Sequence, residues 1–459
     1  MERGLLLTAQ RDTLRKGAVG WARLYAEREI EPRPAFIRGE TPIPASGKVI
    51  GRTEIANGVN AVLDGWLTEG HWTDEFEKAL AAVVGVRYAS MVNSGSSANL
   101  AAIAALTAKE TGLRTLKPGD QVLTAAVGFP TTVSALLWNR LMPVFVDVDL
   151  GTYVPSAAQI SEAVTRKTAA VFMAHTLGNP LPMARLMGLQ ERKDILIIED
   201  NCDALGSLYK GKPTGSFGVA ATQSFYPAHH ITTGEGGAVL TNRPKVKKVV
   251  ESVRDWGRSC WCDPGKANTC GKRFDWCIPG TEGRYDHKYI YDRLGFNLKS
   301  TDLQAALGVA QLARLADFGR RRRRNFAHLT EALAGLEHLL ILPRATPDSD
   351  PSWFGFPITV ESARGVSRDD LVRFLDKRRV DTRHLFGGNL LRQPAFHNAF
   401  SRLGYGELRK TPLPNSDRVM RDSFWVGVWP GLTGEMMDWI ATSIRDGLAE
   451  QVGVMEAGA

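Results

Sequence analysis

Long apolar runs are missing from this 459-residue chain, and no stretch approaches the ~20 consecutive apolar residues of a membrane-spanning helix. The start, Met1 to Leu7, is too short an apolar run for a secretory signal, and Arg11, Arg15 and Lys16 follow at once, so a cytosolic protein is expected. Cysteine is scarce, with five in all, and in a reducing compartment these are expected as metal ligands or free thiols rather than disulfides. Internal repeats and low-complexity tracts are absent. Acidic residues are outnumbered, 49 against 57 basic, giving a net charge of +8. The excess is spread along the chain except at Arg320 to Arg324, which falls in a helical pattern (Leu312, Leu315, Phe318, Phe326, Leu329) and reads as a solvated or interdomain helix face. A nucleic-acid partner is therefore not expected, whereas an anionic small substrate such as a nucleotide diphosphate suits the balance.

What is present is ordinary for a folded protein, 44% hydrophobic and 23% charged, and the length exceeds what one core usually serves. Residues 1–48 read as a helical extension (Val19 to Ile30) with a Pro-rich connector, Glu31 to Pro44. The runs Gln121–Thr124, Pro143–Val148, Ala169–His175, Ile195–Asp200 and Gly237–Thr241 read as buried strands whose spacers suit crossover helices. That predicts an α/β domain with a mostly parallel sheet over 49–315. Residues 256–295 interrupt it with Trp, Gly, Pro and clustered cysteines, as an inserted loop. A long helix near 302–335, a segment Trp353 to Val360 and a helix Ser367 to Lys377 predict a smaller α+β domain over 316–459.

Three features carry chemistry. Asn93-Ser-Gly-Ser-Ser-Ala-Asn99 precedes an Ala/Leu-rich helix and would hold an anion on free amides and hydroxyls. Asp200 ends an apolar strand, where an open α/β sheet presents its crevice, and a carboxylate there can hold a protonated pyridine nitrogen. Cys202, Cys260, Cys262 and Cys270 follow the pattern Cys-x57-Cys-x-Cys-x7-Cys. Four thiolates suit a [2Fe-2S] cluster or a structural zinc, although only Cys260-x-Cys262 approximates a zinc knuckle.

The run Ser224-Phe-Tyr-Pro-Ala-His-His-Ile-Thr-Thr-Gly-Glu-Gly-Gly237 resembles the sugar aminotransferases of the fold-type I pyridoxal-phosphate (PLP) enzymes, whose pattern is Ser-Phe, three residues, Lys, then Thr-Gly-Glu-Gly-Gly. In that family the lysine bonds the cofactor, and here His229 takes its place. With the cysteine spacing, the chain from about Ser46 to Leu312 resembles one branch, the iron-sulfur, pyridoxamine-phosphate (PMP)-dependent 3-dehydratases of nucleotide-linked 4-keto-6-deoxysugars. The resemblance implies the fold-type I architecture and PMP as cofactor. Its phosphate would sit on Gly95, Ser96 and Ser224, its ring against Phe129, its ring nitrogen on Asp200 and its phenolic oxygen near Asp203. His229 would be the proton carrier, and His175 and Tyr226 would face substrate. Asn297 would reach a neighbouring subunit's phosphate, which implies a homodimer. The resemblance further implies that Cys202, Cys260, Cys262 and Cys270 hold a [2Fe-2S] cluster fed by a flavin or iron-sulfur reductase, with Cys277 free. The implied activity is C-3 deoxygenation of a CDP- or TDP-linked 4-keto-6-deoxyhexose. Alternatives are a sugar aminotransferase, a glutamate-coupled 3-dehydratase, and a non-catalytic zinc-stabilised interaction protein.

Overall fold

The computed structural model describes residues 2–32, 34–262, 268–407 and 411–458; residues 263–267 of the inserted loop lie outside them. Seven short runs rich in Val, Ile, Ala and Thr, nearly all buried on both faces, build the central sheet. In chain order these are β1 (Tyr88–Val92), β2 (Gln121–Ala125), β3 (Met142–Val146), β4 (Thr168–Ala174) and β5 (Leu196–Asp200), then, after a small hairpin of β6 (Leu208–Tyr209) and β7 (Lys212–Pro213), β8 (Ala220–Ser224) and β9 (Gly237–Thr241). The spatial order is β1-β9-β8-β5-β4-β2-β3, parallel from β8 to β3, with β9 antiparallel to both its neighbours. This is the mixed α/β fold with a mostly parallel sheet that the sequence predicts. β1 and β8 are strands that the sequence pattern had not marked.

Ahead of β1 come α1 (Glu2–Tyr25), which continues as a π turn over Ala26–Ile30, α2 (Arg52–Leu63) and α3 (His71–Val84); α4 (Gly95–Leu106) follows β1 and α5 (Pro130–Trp138) follows β2. The first helix thus begins at Glu2 rather than Val19. On α4 the small residues Ala98, Ala101, Ala102 and Ala105 are fully buried, so the helix packs close beneath β8 and β9 and its N-terminus arrives at the strand ends. The expected long helix near 302–335 is two helices, Asp302–Leu312 and Leu315–Ala332; Arg314, at the break, reaches Glu54 Oε1 at 3.1 Å.

The remaining strands are β10 (Leu340–Ile341), β11 (Ser349–Asp350), β12 (Gly355–Val360) and β13 (Ser423–Gly427). β10, β12 and β13 form an antiparallel sheet, and β11 pairs with β6. Helices Leu315–Ala332, Arg368–Lys377 and Gly434–Gly458 pack around that sheet, with Phe326 stacked on Trp353 at 3.9 Å. Ile43 of the Pro-rich connector pairs with Val380 and is buried in this same core. The arginine run is not a uniformly solvated face. Arg320 and Arg321 pair with Asp317 at the surface, but Arg322 is 1% exposed and points inward. Among the described residues no helix is long and apolar enough to cross a membrane.

Candidate active site

The C-terminal ends of β1, β5 and β8 meet the N-terminus of α4, and this convergence builds the floor of a cleft. Asp200, the last residue of β5, is 4% exposed. Its Oδ2 accepts hydrogen bonds from Thr132 Oγ1 (2.6 Å) and Asn99 Nδ2 (3.0 Å), and Oδ1 accepts from the Cys202 amide (3.2 Å). Ser94, in extended conformation, caps α4 by accepting from the Ser97 amide, and the first helical turn has amide donors left over by geometry. A Cβ on Gly95 would lie 2.5 Å from Ser224 Cβ and 3.1 Å from Cys202 Sγ, so only glycine lets these three segments close up. The floor fits a phosphorylated pyridine cofactor. A carboxylate is fixed for a ring nitrogen, a glycine cradle and serine hydroxyls sit at a helix N-terminus, and Asn99 Oδ1 is buried without a hydrogen-bond partner among the described residues.

His229 lies in the turn after β8, its amide donating to the Tyr226 carbonyl (2.9 Å). From below, the buried Arg322 donates to the carbonyls of His229, Trp353 and Phe354, each at 3.2 Å. Burial, then the nearby Arg322 charge, pushes the imidazole down to about 4, so it is a neutral base at physiological pH. Asp203 Oδ1 is 3.5 Å from His229 Nδ1, and burial followed by the Asp200 charge pushes this carboxyl up to about 7. Arg322→Leu strands three buried carbonyls and is expected to destabilise the protein by about 3 kcal/mol or more. Urea unfolding checks it.

The two shifts have opposite linkage signs. His229 is depressed, so below pH ~6.5 the unfolded chain binds a proton the folded one refuses, and stability falls towards pH ~4. Asp203 is raised, so between pH ~4 and ~7 the folded chain holds a proton the unfolded one has lost, and stability falls as pH rises. The two slopes, each about 1.4 kcal/mol per pH unit, cancel in the ligand-free protein. Relative to the wild type, Asp203→Asn is expected to tilt stability towards falling on acidification over that window, and His229→Asn towards rising. Denaturant midpoints at pH 4.5 and 6.5 read the difference.

The cleft holds about 1410 Å³, more than a cofactor alone requires. No lysine is among its described lining residues. Phe129, 52% exposed, stands edge-on to Phe386 at the mouth, with Tyr226 also lining it. One arm is walled by Leu137, Trp138, Phe396 and Leu403, with the guanidinium groups of Arg140 and Arg402 beside it. Arg383 and His384 enter from the small sheet's side. Sequence reading missed these cationic groups, Thr132 and Arg322; they carry no local signature.

Two sequence expectations require correction. His175 does not face the cleft. It is fully buried, with Nε2 3.2 Å from Glu199 Oε2 and Nδ1 accepting from the Leu181 amide at 3.0 Å, so both ring nitrogens are spent on the fold. Cys202 does not join the other three proposed thiolate ligands. It lines the cleft floor against Gly95, where burial and then the Asp200 charge raise its thiol. Among the described residues the potential metal-holding group is Cys260, Cys262 and His287, with Cys270 Sγ 3.4 Å from the same histidine. The described residues therefore do not assemble the four cysteines into one ligand set. Asn297 is exposed and does not line the cleft, while Cys277 is exposed.

The profile of the DegT/DnrJ/EryC1/StrS aminotransferase family matches residues 49–445. The lipopolysaccharide biosynthesis protein RfbH of Salmonella typhimurium is 50% identical over 92% of this chain and 95% of its own. The dTDP-4-dehydro-2,6-dideoxy-D-glucose 3-dehydratase of Saccharopolyspora spinosa is 49% identical over 91% of this chain and 89% of its own. Among solved structures, the Escherichia coli GDP-4-keto-6-deoxy-D-mannose-3-dehydratase with bound hydrated PLP superposes with a TM-score of 0.77 at 25% identity, over 88% of this chain and 99% of that one.

Proposed function

Because the chain belongs to the DegT/DnrJ/EryC1/StrS aminotransferase family and carries His229 where the related aminotransferases place lysine, we propose that it is a PMP-dependent 3-dehydratase of a nucleotide-diphospho-4-keto-6-deoxyhexose. The observation that carries this reading is a cofactor-shaped floor with an imidazole, and no lysine, at its proton-transfer position. The 3-dehydratase relatives support the substrate class. When bound, PMP supplies an amine that condenses with a C-4 ketone and a ring that takes up electrons as the C-3 hydroxyl leaves.

The chain's own groups divide the work. Asp200, held by three donors, keeps the ring nitrogen protonated. Gly95, Ser96 and Ser224 hold the phosphate, and Phe129 covers the ring from the mouth. His229 is neutral and can take a proton at Nε2, because Nδ1 faces Asp203, whose carboxylate would balance the imidazolium. Arg140 and Arg402, exposed and with no side-chain partner among the described residues, suit the substrate diphosphate, and the adjoining apolar arm suits its nucleoside. A second copy is proposed to cover the exposed Leu294 (97%), Phe296 and Tyr291 around Asn297, bringing that asparagine to a neighbouring phosphate.

Removal of the C-3 oxygen also calls for two electrons, which the proposal assigns to an external flavin or iron-sulfur reductase. No cleft residue supplies them. The test is incubation with PMP and a nucleotide 4-ketosugar in oxygen-18 water without reductant, where the label is expected in the C-3 hydroxyl of recovered substrate. A 3-deoxy product is then expected only with NADH and a reductase. Accumulation of a 4-amino sugar from glutamate would return the chain to the aminotransferases. Steady 3-deoxy product from glutamate alone would make it a glutamate-coupled dehydratase.

A further inference from the structure

The small sheet sends one tightly turned segment to the cleft. Arg383 bridges antiparallel to Trp425 of β13, their backbones bonded at 2.7 and 3.0 Å. The chain then doubles back at once, with the Phe386 amide donating to the His384 carbonyl at 2.7 Å and Phe386 itself at φ 51°. A bulky side chain rarely adopts that left-handed conformation, and here it does so where Arg383, His384 and Phe386 all line the cleft. Leu385, between them, is 1% exposed and anchors the turn in the core. The Trp425 ring nitrogen donates to the same His384 carbonyl at 3.0 Å. Ring contacts run on from Trp425 to Phe354 (5.5 Å) and from Phe354 to His229 (5.2 Å). His384 thus belongs to the wall that leads to the proton-transfer position, not to the apolar arm around Leu137 and Trp138.

Its ring is held in one protonation form. Arg368 Nη1 donates to His384 Nδ1 at 2.8 Å, and a guanidinium has only donors, so Nδ1 offers its lone pair and the proton of the neutral ring sits on Nε2. Burial, then the Arg368 charge, with Asp369 opposing, pushes the imidazole below its usual range, which keeps the ring neutral at physiological pH. Arg368 is itself fixed, bonded to Asp369 (2.5 Å) and to the carbonyls of Ser423 (3.2 Å) and Met420 (3.4 Å). His384 Nε2 has no partner among the described residues, while the neighbouring Arg383 is committed to Asp381.

We propose that His384 recognises the substrate, its Nε2–H donating to an uncharged oxygen of the hexose, and that Arg368 is the positioning residue that fixes this donor. The assignment deepens the dehydratase reading and rests on it. A neutral donor suits a hydroxyl or a ketone, whereas the diphosphate is matched by the guanidinium groups of Arg140 and Arg402. A sugar without an oxygen at that place leaves the donor unpaired, so the cleft selects against it.

The test is calorimetric binding of CDP- and TDP-linked 4-keto-6-deoxyglucose, with CDP and TDP alone as controls. Pyridoxal phosphate replaces PMP, because it has no amine to condense with a ketone and binding is then read without turnover. His384 is exposed and its ring has Arg368 as its described partner, so variants at this position keep the fold. His384→Asn and His384→Phe are expected to bind the ketosugar nucleotide about five- to tenfold more weakly, the worth of one neutral hydrogen bond, with the bare diphosphates unchanged. His384→Gln, whose amide NH2 reaches the place of Nε2–H, is expected to stay within about twofold of the wild type. Unchanged ketosugar affinity in Asn and Phe, equal weakening of ketosugar nucleotide and bare diphosphate, or a Gln variant as weak as Asn would each overturn the assignment. A wild type that binds neither ketosugar nucleotide would instead overturn the dehydratase reading itself, and this assignment with it.

Discussion

Replacing His229 with asparagine is expected to slow dehydration by about 10²- to 10⁴-fold, the usual worth of a positioned general base. The side chain is mostly buried, but what holds its turn is backbone: its own amide on the Tyr226 carbonyl and Arg322 on its carbonyl. Far-ultraviolet circular dichroism and PMP affinity should therefore be little changed. The direct readout is exchange of the PMP C4′ hydrogen with deuterated solvent, which should stop. His229→Lys makes the complementary case, because lysine returns the amine that the aminotransferase pattern uses. With pyridoxal phosphate it should give a borohydride-stable covalent link at position 229, seen as a mass increase on one peptide. The wild type, with no lysine among the described lining residues, should give none. Undiminished hydrogen exchange in His229→Asn would remove the base from the mechanism.

Asp200→Asn should cost about 10²- to 10³-fold in kcat, the scale for losing one preorganised electrostatic partner in a closed site. The aspartate meets only donors: Thr132, Asn99 and the Cys202 amide. An amide has one acceptor oxygen, so in either orientation its NH2 group must face at least one of them. It also carries no charge to keep a ring nitrogen protonated. The loss should fall mainly on turnover rather than on PMP binding, and saturating PMP should not restore the rate. A defect that excess cofactor erased would reduce Asp200 to a binding contact.

The parts of this protein that were legible in sequence are those set by local pattern. Apolar runs of strand length separated by helical spacers predict the parallel sheet, and an Ala-rich helix behind Asn93-Ser-Gly-Ser predicts an anion site at its start, because period and capping chemistry act over a few residues. The same holds for His229, visible since the motif flanking it is contiguous. The limits of this reading show in Arg322 and Cys202. Arg322 belongs to a run of five arginines and is indistinguishable from them until the second sheet packs above it and three carbonyls need a donor. Cys202 has a spacing that invites a fourth metal ligand, but spacing along the chain does not fix direction in space. The end of β5 points it at Gly95, while the inserted loop folds back and brings His287 to the other three sulfurs. Sequence therefore determined the fold class and the residues able to do chemistry. Which of them meet was decided by tertiary structure, since contacts between distant segments depend on where strand ends and loop bridges come to rest.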